Sequence, residues 1–202
     1  AGVAMRLVAG YTALVCLPAL YLTVSRSGWI GLLAGLVVMS VAVALRKGIR
    51  KFLLVLLVAP LIAGGAALAV WQFSPRVQAR VTAAIQGDVR IQLWKDSLPI
   101  AELSPVIGNG LGSYRWMYQH FRTHYLDYAN PEFAHNDYLQ FWAEIGAVGL
   151  ALMAVVVLLV VRRAVRIIRS DPGDSAWLMG GLLGAMAGAL AHAFFDFNFH
   201  IF

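Results

Sequence analysis

The residues with the clearest chemical potential stand at His135-Asn136-Asp137, immediately before a long apolar segment. An imidazole titrates near neutral pH, so His135 can accept the proton of a hydroxyl that attacks another molecule. Two arginines complement it: Arg26, between two apolar segments, and Arg90, in a long polar segment. A guanidinium binds phosphate oxygens bidentately and keeps its charge near lipid. These residues are therefore candidates for a base and two anion-binding groups.

Five residues of the segment around His135 fall on one face if it forms a helix: His135, Leu139, Trp142, Gly146 and Gly149. The two glycines would let a second helix approach closely, and the histidine would stand where lipid gives way to water. The pattern predicts a site at a membrane surface, carried by one helical stripe.

Composition places the chain among integral membrane proteins. Of its 202 residues, 60% are hydrophobic and only 13% are charged, and the mean hydropathy is +0.74. A soluble domain carries about a quarter charged residues. The net charge of +6 is concentrated in short segments between apolar runs, which is the positive-inside pattern and argues against a nucleic-acid partner. The single Cys16 excludes an intrachain disulfide.

Apolar segments long enough to cross a bilayer, which takes about 20 residues, occur five times: 5–24, 28–45, 52–71, 139–161 and 176–195. They divide the chain into three transmembrane helices in 1–71, a loop with short helices in 72–138, and two transmembrane helices in 139–202. The expected fold class is an all-α polytopic membrane helix bundle. Because the chain starts without Met and ends beside an apolar run, we expect it to be the C-terminal part of a larger bundle.

The basic loops predict the orientation of this bundle. Four cations lie in 46–51, and four arginines lie in 162–169. Two crossings separate the loops, so both lie on one side, which the positive-inside rule identifies as the cytoplasm. Arg26, the segment 72–138 and the C-terminal 196–200 then lie on the opposite side.

The segment 72–138 has the mixed charge of a soluble sequence. Apolar residues recur in it at helical spacing, which predicts two short amphipathic helices that end near Gly87 and Pro105. The glycines of 108–112 predict a flexible turn, and a further helix is expected from Ser113 to about Tyr125.

Motifs along most of the chain, from about residue 20 onward, resemble the O-antigen ligase and polymerase superfamily. His135-Asn136 followed by Gly146 and Gly149 is similar to its histidine motif. Three further parts of the chain resemble motifs of this superfamily: Ser25-Arg26-Ser27-Gly28 between two spans, the loop residues Arg90, Trp94, Pro105 and 108–112, and the C-terminal Asp196-Phe197-Asn198.

This resemblance implies a membrane glycosyltransferase that moves a glycan, with inversion, from polyprenyl-pyrophosphate to an acceptor hydroxyl. The site would face the periplasm from the bacterial inner membrane and need neither metal nor cofactor. His135 would be the general base, worth about 10²–10⁴ in rate, and Arg26 and Arg90 would hold the pyrophosphate. Candidates for substrate binding are Asn136, Arg115, Tyr138 and Trp142. Asp196 would orient His135 or an arginine.

Several alternatives stay open. The acceptor is lipid A core for a ligase, a growing glycan for a repeat-unit polymerase, or a protein for a protein O-oligosaccharyltransferase. A membrane transporter subunit is the alternative of another class, although transporters place their charges at mid-bilayer. Structural alternatives are a His135 that only starts a helix, an Arg26 that reaches to headgroups, and interfacial Tyr138 and Trp142. The role expected of Arg90 could also belong to another arginine of the same segment: Arg76, Arg80 or Arg115. No role is predicted for His120, His124, His192 and His200.

Overall fold

The structure, a computed structural model, describes residues 3–23, 25–47, 72, 75, 89–123, 132–171 and 173–200. In this part of the chain every regular element is a helix. The helices are α1 (Val3–Thr23), α2 (Arg26–Lys47), α3 (Val89–Leu103), α4 (Tyr114–Phe121), α5 (Asp137–Ser170) and α6 (Ser175–Ala193). The predicted all-helical fold is confirmed for the described residues.

Two of the described helices are long and apolar enough to cross a membrane. Helix α5 has a mean hydropathy of 2.7 in its most apolar part, and α6 has 1.3. Shorter apolar stretches, Gly10–Thr23 and Arg26–Ala42, lie in α1 and α2. The span expected at 52–71 lies outside the described residues, so the five-span bundle with its periplasmic loop stays a prediction.

The chain forms two compact units. Unit 1 comprises Ala1–Val77 and Arg163–Ala189, and unit 2 comprises Gln78–Arg162 and Leu190–Phe202. Helices α5 and α6 therefore contribute residues to both units. The predicted division into 1–71, 72–138 and 139–202 concerns the sides of a membrane rather than packing, and it stays a prediction.

Glycines bring α2 and α6 together within unit 1. A Cβ added to Gly35 would lie 2.7 Å from the carbonyl oxygen of Gly184, and one added to Gly184 would lie 2.9 Å from that of Gly35. One turn away, a Cβ on Gly188 would lie 2.9 Å from the Gly31 carbonyl oxygen. On each helix the two glycines are four residues apart, the spacing that lets membrane helices pack backbone to backbone.

The connection between α1 and α2 is short, as predicted. Ser25 caps α2, since its carbonyl accepts the N–H of Trp29 at 3.3 Å and its Oγ accepts the N–H of Gly28 at 3.1 Å. Arg26, which was expected between the spans, is the first residue of α2 and is exposed, whereas Ser27 is buried.

The core of unit 2 is built from α3, α4 and the start of α5. Its buried apolar side chains are Leu93, Ile100, Ala101, Tyr114, Tyr118, Ala134 and Ala143. Helix α3 ends at Leu103, close to the predicted end at Pro105, and α4 forms the first part of the helix predicted after Ser113. The amphipathic helix expected to end near Gly87 lies outside the described residues.

A buried carboxylate ties α3 to the segment after α4. Asp96 accepts hydrogen bonds from Gln92 Nε2 at 2.9 Å, from the Tyr118 hydroxyl at 3.3 Å, and from the N–H and hydroxyl of Thr123 at 3.2 and 2.8 Å. Burial and the adjacent Asp96 carboxylate raise the pKa of Tyr118 to about 12, so this phenol stays a donor. Both oxygens of Asp96 are therefore satisfied inside the protein.

Helix α5 is interrupted at Gly146, whose φ of 66° and ψ of −174° lie outside the helical region. The loop of residues 105–110 fills the interruption through four backbone hydrogen bonds. They run from the N–H groups of Asn109 and Gly110 to the carbonyls of Ala143 and Glu144, both at 2.9 Å, and from those of Ala147 and Val148 to the carbonyls of Pro105 and Val106, at 2.9 and 3.0 Å. Two terminal carbonyls of the half-helix 137–145 and two terminal N–H groups of the half-helix 147–170 are thus bonded to the loop.

This joint between loop and helix requires glycine at two positions. A Cβ on Gly146 would collide with the Val106 carbonyl and one on Gly108 with the Glu144 carbonyl, and both residues have positive φ. The turn 108–112 was expected to be flexible, and the N–H groups of its residues Asn109 and Gly110 are hydrogen-bonded to α5. The predicted helical stripe is wrong, because His135 precedes α5 and because a loop, rather than a second helix, approaches Gly146.

Candidate functional site

His135 lies in the turn that leads into α5, and its backbone is strained. Its φ is 51°, the one positive φ outside glycine in the described part of the chain, and this left-handed conformation costs roughly 1–2 kcal/mol. Both neighbours fix the turn: the N–H of Ala134 donates to Gln140 Oε1 at 3.0 Å, and Asn136 Oδ1 accepts the N–H of Leu139 at 3.1 Å. Strain of this kind is concentrated at functional sites.

The ring of His135 faces the turn that follows α6. Its Nδ1 lies 3.4 Å from Asp196 Oδ1, and it meets the Phe197 ring edge to face with the ring centroids 4.6 Å apart. A carboxylate beside Nδ1 favours the tautomer with its proton on that nitrogen, which leaves Nε2 able to accept a proton. Asp196 was expected to orient His135 or an arginine; it lies beside the histidine, and its orienting role stays a prediction.

A second histidine of the same turn is bound by two carboxylates of α5. His200 Nδ1 contacts Asp137 Oδ1, and its Nε2 lies 3.8 Å from Glu144 Oε2. The other oxygen of Asp137 accepts the N–H of Phe199 at 3.1 Å. Burial lowers the pKa of His200, but its hydrogen bond to Asp137 and the negative charges of Asp137 and Glu144 outweigh this effect and raise the pKa to about 9. At neutral pH His200 is therefore an imidazolium that fastens the turn to α5.

The three predicted arginines take different places. Arg26 is exposed at the start of α2 in unit 1. Arg90 is half-buried in the first turn of α3, and Arg115 is exposed on α4 with its guanidinium 4.8 Å from the centroid of the Trp116 ring. Arg90 and Arg115 belong to the same unit as His135, while Arg26 belongs to the other.

The remaining predicted substrate-binding residues all make hydrogen bonds within unit 2. Asn136 is buried and caps α5, as described above. The Tyr138 hydroxyl donates to the Leu190 carbonyl at 2.8 Å, and Trp142 Nε1 donates to the Pro105 carbonyl at 3.1 Å. These bonds orient the side chains, and their part in substrate binding stays a prediction.

The cluster of Asp137, Glu144 and His200 is absent from the sequence-based predictions. A signal for it exists in the sequence. Asp137, Gln140 and Glu144 are three and four residues apart, so they share one helix face. They also enter an apolar segment, where carboxylates need partners.

Within the described residues, no group of three or more His, Cys, Asp or Glu side chains is arranged to hold a metal ion. A family model described as O-antigen ligase matches residues 11–154. The matched stretch contains Arg26, Arg90 and His135 with its two following glycines. No curated protein and no solved structure matches the chain significantly.

Proposed function

Because this chain belongs to the O-antigen ligase family, we propose that it transfers a glycan from polyprenyl-pyrophosphate to an acceptor hydroxyl, with His135 as the general base. The observation that carries the proposal is the pair of His135 and Asp196, a base with a carboxylate beside Nδ1. Their separation of 3.4 Å is long for a hydrogen bond, as catalytic hydrogen bonds often are before substrate binds. Removing the proton of a hydroxyl in this way is typically worth about 10²–10⁴ in rate.

In the proposed reaction the acceptor oxygen attacks the anomeric carbon while the bond from this carbon to the pyrophosphate oxygen breaks. The proton passes to His135 Nε2, and a single displacement inverts the anomeric centre. Lipid A core, a growing glycan and a protein side chain each supply the hydroxyl that this chemistry needs.

The leaving pyrophosphate gains negative charge, and Arg26 and Arg90 are proposed to bind it. Arg26 supports this role through its place at the N-terminus of α2, where backbone N–H groups and the helix dipole favour an anion. Arg90 supports it through its half-buried position in the unit that contains His135. Guanidinium groups suit phosphate oxygens because they donate two parallel hydrogen bonds.

We place the protein in the bacterial inner membrane as a multi-pass protein with this site on the periplasmic face. The support is the composition of α5 and α6 and the exposure of large apolar side chains along the middle of α5, including Leu152, Val156 and Leu159. Contiguous apolar surface of this kind is suited to lipid.

Transfer by the purified protein in liposomes, from a polyprenyl-pyrophosphate-linked glycan, tests the proposal. His135→Asn should keep the fold, because Asn tolerates the left-handed conformation better than most residues. Its single-turnover rate should fall by about 10²–10⁴. His120→Asn is the matched control, since His120 is exposed on α4, and it should transfer at the wild-type rate.

Near-normal transfer by His135→Asn would remove the histidine from the chemistry. Equal losses in the His135 and His120 variants would show that the effect is not specific to the site.

A further inference from the structure

Unit 2 contains a pocket of about 550 Å³ that the proposed chemistry does not use. Its lining includes charged side chains, namely Arg115, Glu132, Glu144 and His200, together with aromatic rings such as that of Phe141. Cavities of this size with aromatic walls and a few polar groups are typical of small-ligand sites.

Two buried polar atoms at this pocket, Glu144 Oε2 and His200 Nε2, make no hydrogen bond among the described residues and face each other as an ion pair across 3.8 Å. The other polar atoms of both side chains are engaged. Glu144 Oε1 accepts the N–H of Tyr114 at 3.4 Å and Gln140 Nε2 at 3.2 Å, and His200 Nδ1 is bound to Asp137. At this separation the ion pair forms no full hydrogen bond, and a ligand oxygen that parts the two buried side chains would bond to both.

The chemistry of these two atoms selects a hydroxyl. They are 3.8 Å apart, so one oxygen atom can lie within hydrogen-bonding distance of both. An ionised carboxylate only accepts hydrogen bonds, and a protonated imidazole only donates them. A hydroxyl does both at once, whereas a phosphate oxygen would be repelled by Glu144.

The charges around the pocket also argue against an anionic ligand. Arg115 and His200 are balanced by Glu132 and Glu144, and Asp137 lies behind His200. A pyrophosphate would find no net attraction here. The rings of Phe133 and Phe141 offer flat apolar surfaces for the C–H faces of an uncharged ligand.

We propose that this pocket binds a sugar residue of the glycan, with a sugar hydroxyl between Glu144 Oε2 and His200 Nε2 and the sugar ring against the aromatic wall. The inference rests on the proposed function and assigns the uncharged glycan a site apart from the arginines. The pocket is close to the base through aromatic contacts. Phe133 on its wall stacks on Phe197 at 4.6 Å, and Phe197 meets the His135 ring at 4.6 Å.

The test is a binding titration of the purified protein in detergent. The probe is the oligosaccharide released by mild acid from the host's lipid-linked donor, which carries no phosphate. Glu144→Gln should weaken binding about 10- to 100-fold, since a hydrogen bond to a charged group is worth about 1.5–3 kcal/mol. Glu102→Gln, on the exposed side of α3, should bind as the wild type does.

A second test blocks the pocket with one variant and uses another as its control, and neither variant changes Asp137, Glu144 or His200. Leu111 lines the pocket and is 77% exposed, and Ile107, in the same loop but outside the pocket, is 74% exposed. Leu111→Trp should weaken binding at least tenfold by filling the entrance, and Ile107→Trp should leave it unchanged.

Absence of binding to the wild type, or wild-type affinity in both Glu144→Gln and Leu111→Trp, would overturn the inference. Competition by sugar-free polyprenyl pyrophosphate would overturn it too, since the pocket would then hold the carrier. His135→Asn should bind the oligosaccharide normally. If that variant also transferred normally while Glu144→Gln lost binding, the proposed base would fall and the sugar site would stand.

Discussion

Asp96 and Glu144 are both buried carboxylates of unit 2, 3% and 2% exposed, yet their bonding differs. Asp96 receives four hydrogen bonds that involve both oxygens. Glu144 receives its bonds on Oε1, and its Oε2 faces His200 across 3.8 Å at a pocket. Burial is the same in the two cases, so burial does not mark a functional carboxylate. Under the proposed sugar site, the difference lies in Glu144 Oε2, which makes no hydrogen bond and lies at a pocket.

Replacing Asp96 is expected to have the largest effect on stability. Asp96→Ala leaves the buried Tyr118 hydroxyl and the Thr123 N–H without their acceptor, so the free energy of unfolding should fall by about 3 kcal/mol. Glu144→Gln retains an oxygen for the bonds at Oε1, and Asp137 still pairs with His200, so this variant should lose less stability than Asp96→Ala does. Denaturant unfolding in detergent measures the two free energies of unfolding. Similar losses in the two variants would show that Asp96 and Glu144 stabilise the fold equally.

Gly146→Ala should lower the stability of the backbone around Glu144 but not that around Asp96. The reason is that the carbonyl of Glu144 takes part in the joint at Gly146. The added Cβ combines a positive φ with a collision at the Val106 carbonyl, and we expect a loss of about 2 kcal/mol. Gly110→Ala is the control, since Gly110 has a φ of +107° but open space around it. If Gly110→Ala lost as much stability as Gly146→Ala, the positive φ alone would explain both losses. The contact of the added Cβ with the Val106 carbonyl would then contribute nothing.

The stability of the region near His200 is also expected to depend on pH. Its pKa is raised from 6.5 to about 9 by Asp137 and Glu144 against the opposing effect of burial. The contribution to stability is therefore fully present below about pH 6.5 and is lost as the pH rises through 9. Tyr118 beside Asp96 does not change its charge in this range, because its pKa is raised to about 12. The midpoint temperature of thermal unfolding should fall from pH 6 to pH 9 in the wild type. An equally steep fall in His200→Gln would show that His200 is not the cause.

Features set by neighbouring residues could be predicted from the sequence. The helical fold, the end of α3 before Pro105 and the short connection at Ser25 follow from apolar periodicity, a breaker and a cap. The pairing of His135 with Asp196 was one of two expected partnerships. It depended on both residues belonging to one end of the apolar helices.

Features set by distant contacts could not be predicted. The left-handed backbone of His135 depends on hydrogen bonds that fix Ala134 and Asn136 on either side of it. Helical periodicity does not predict these bonds. The interruption at Gly146 depends on a loop about 40 residues earlier in the chain, and the bond of His200 to Asp137 spans 63 residues. Sequence spacing therefore located the histidine motif but placed it on a continuous helix that does not exist.

We propose that Asp196 acts through His135 in glycan transfer, and a double-mutant cycle of these two residues tests this coupling. Single-turnover transfer is measured for the wild type, Asp196→Asn, His135→Asn and the double variant, with the same lipid-linked donor. Asp196→Asn should slow transfer at least tenfold when His135 is present and have almost no effect when it is absent, because residues that act as a unit are not additive. Equal slowing in both backgrounds would show that the carboxylate does not work through the histidine and would contradict the account.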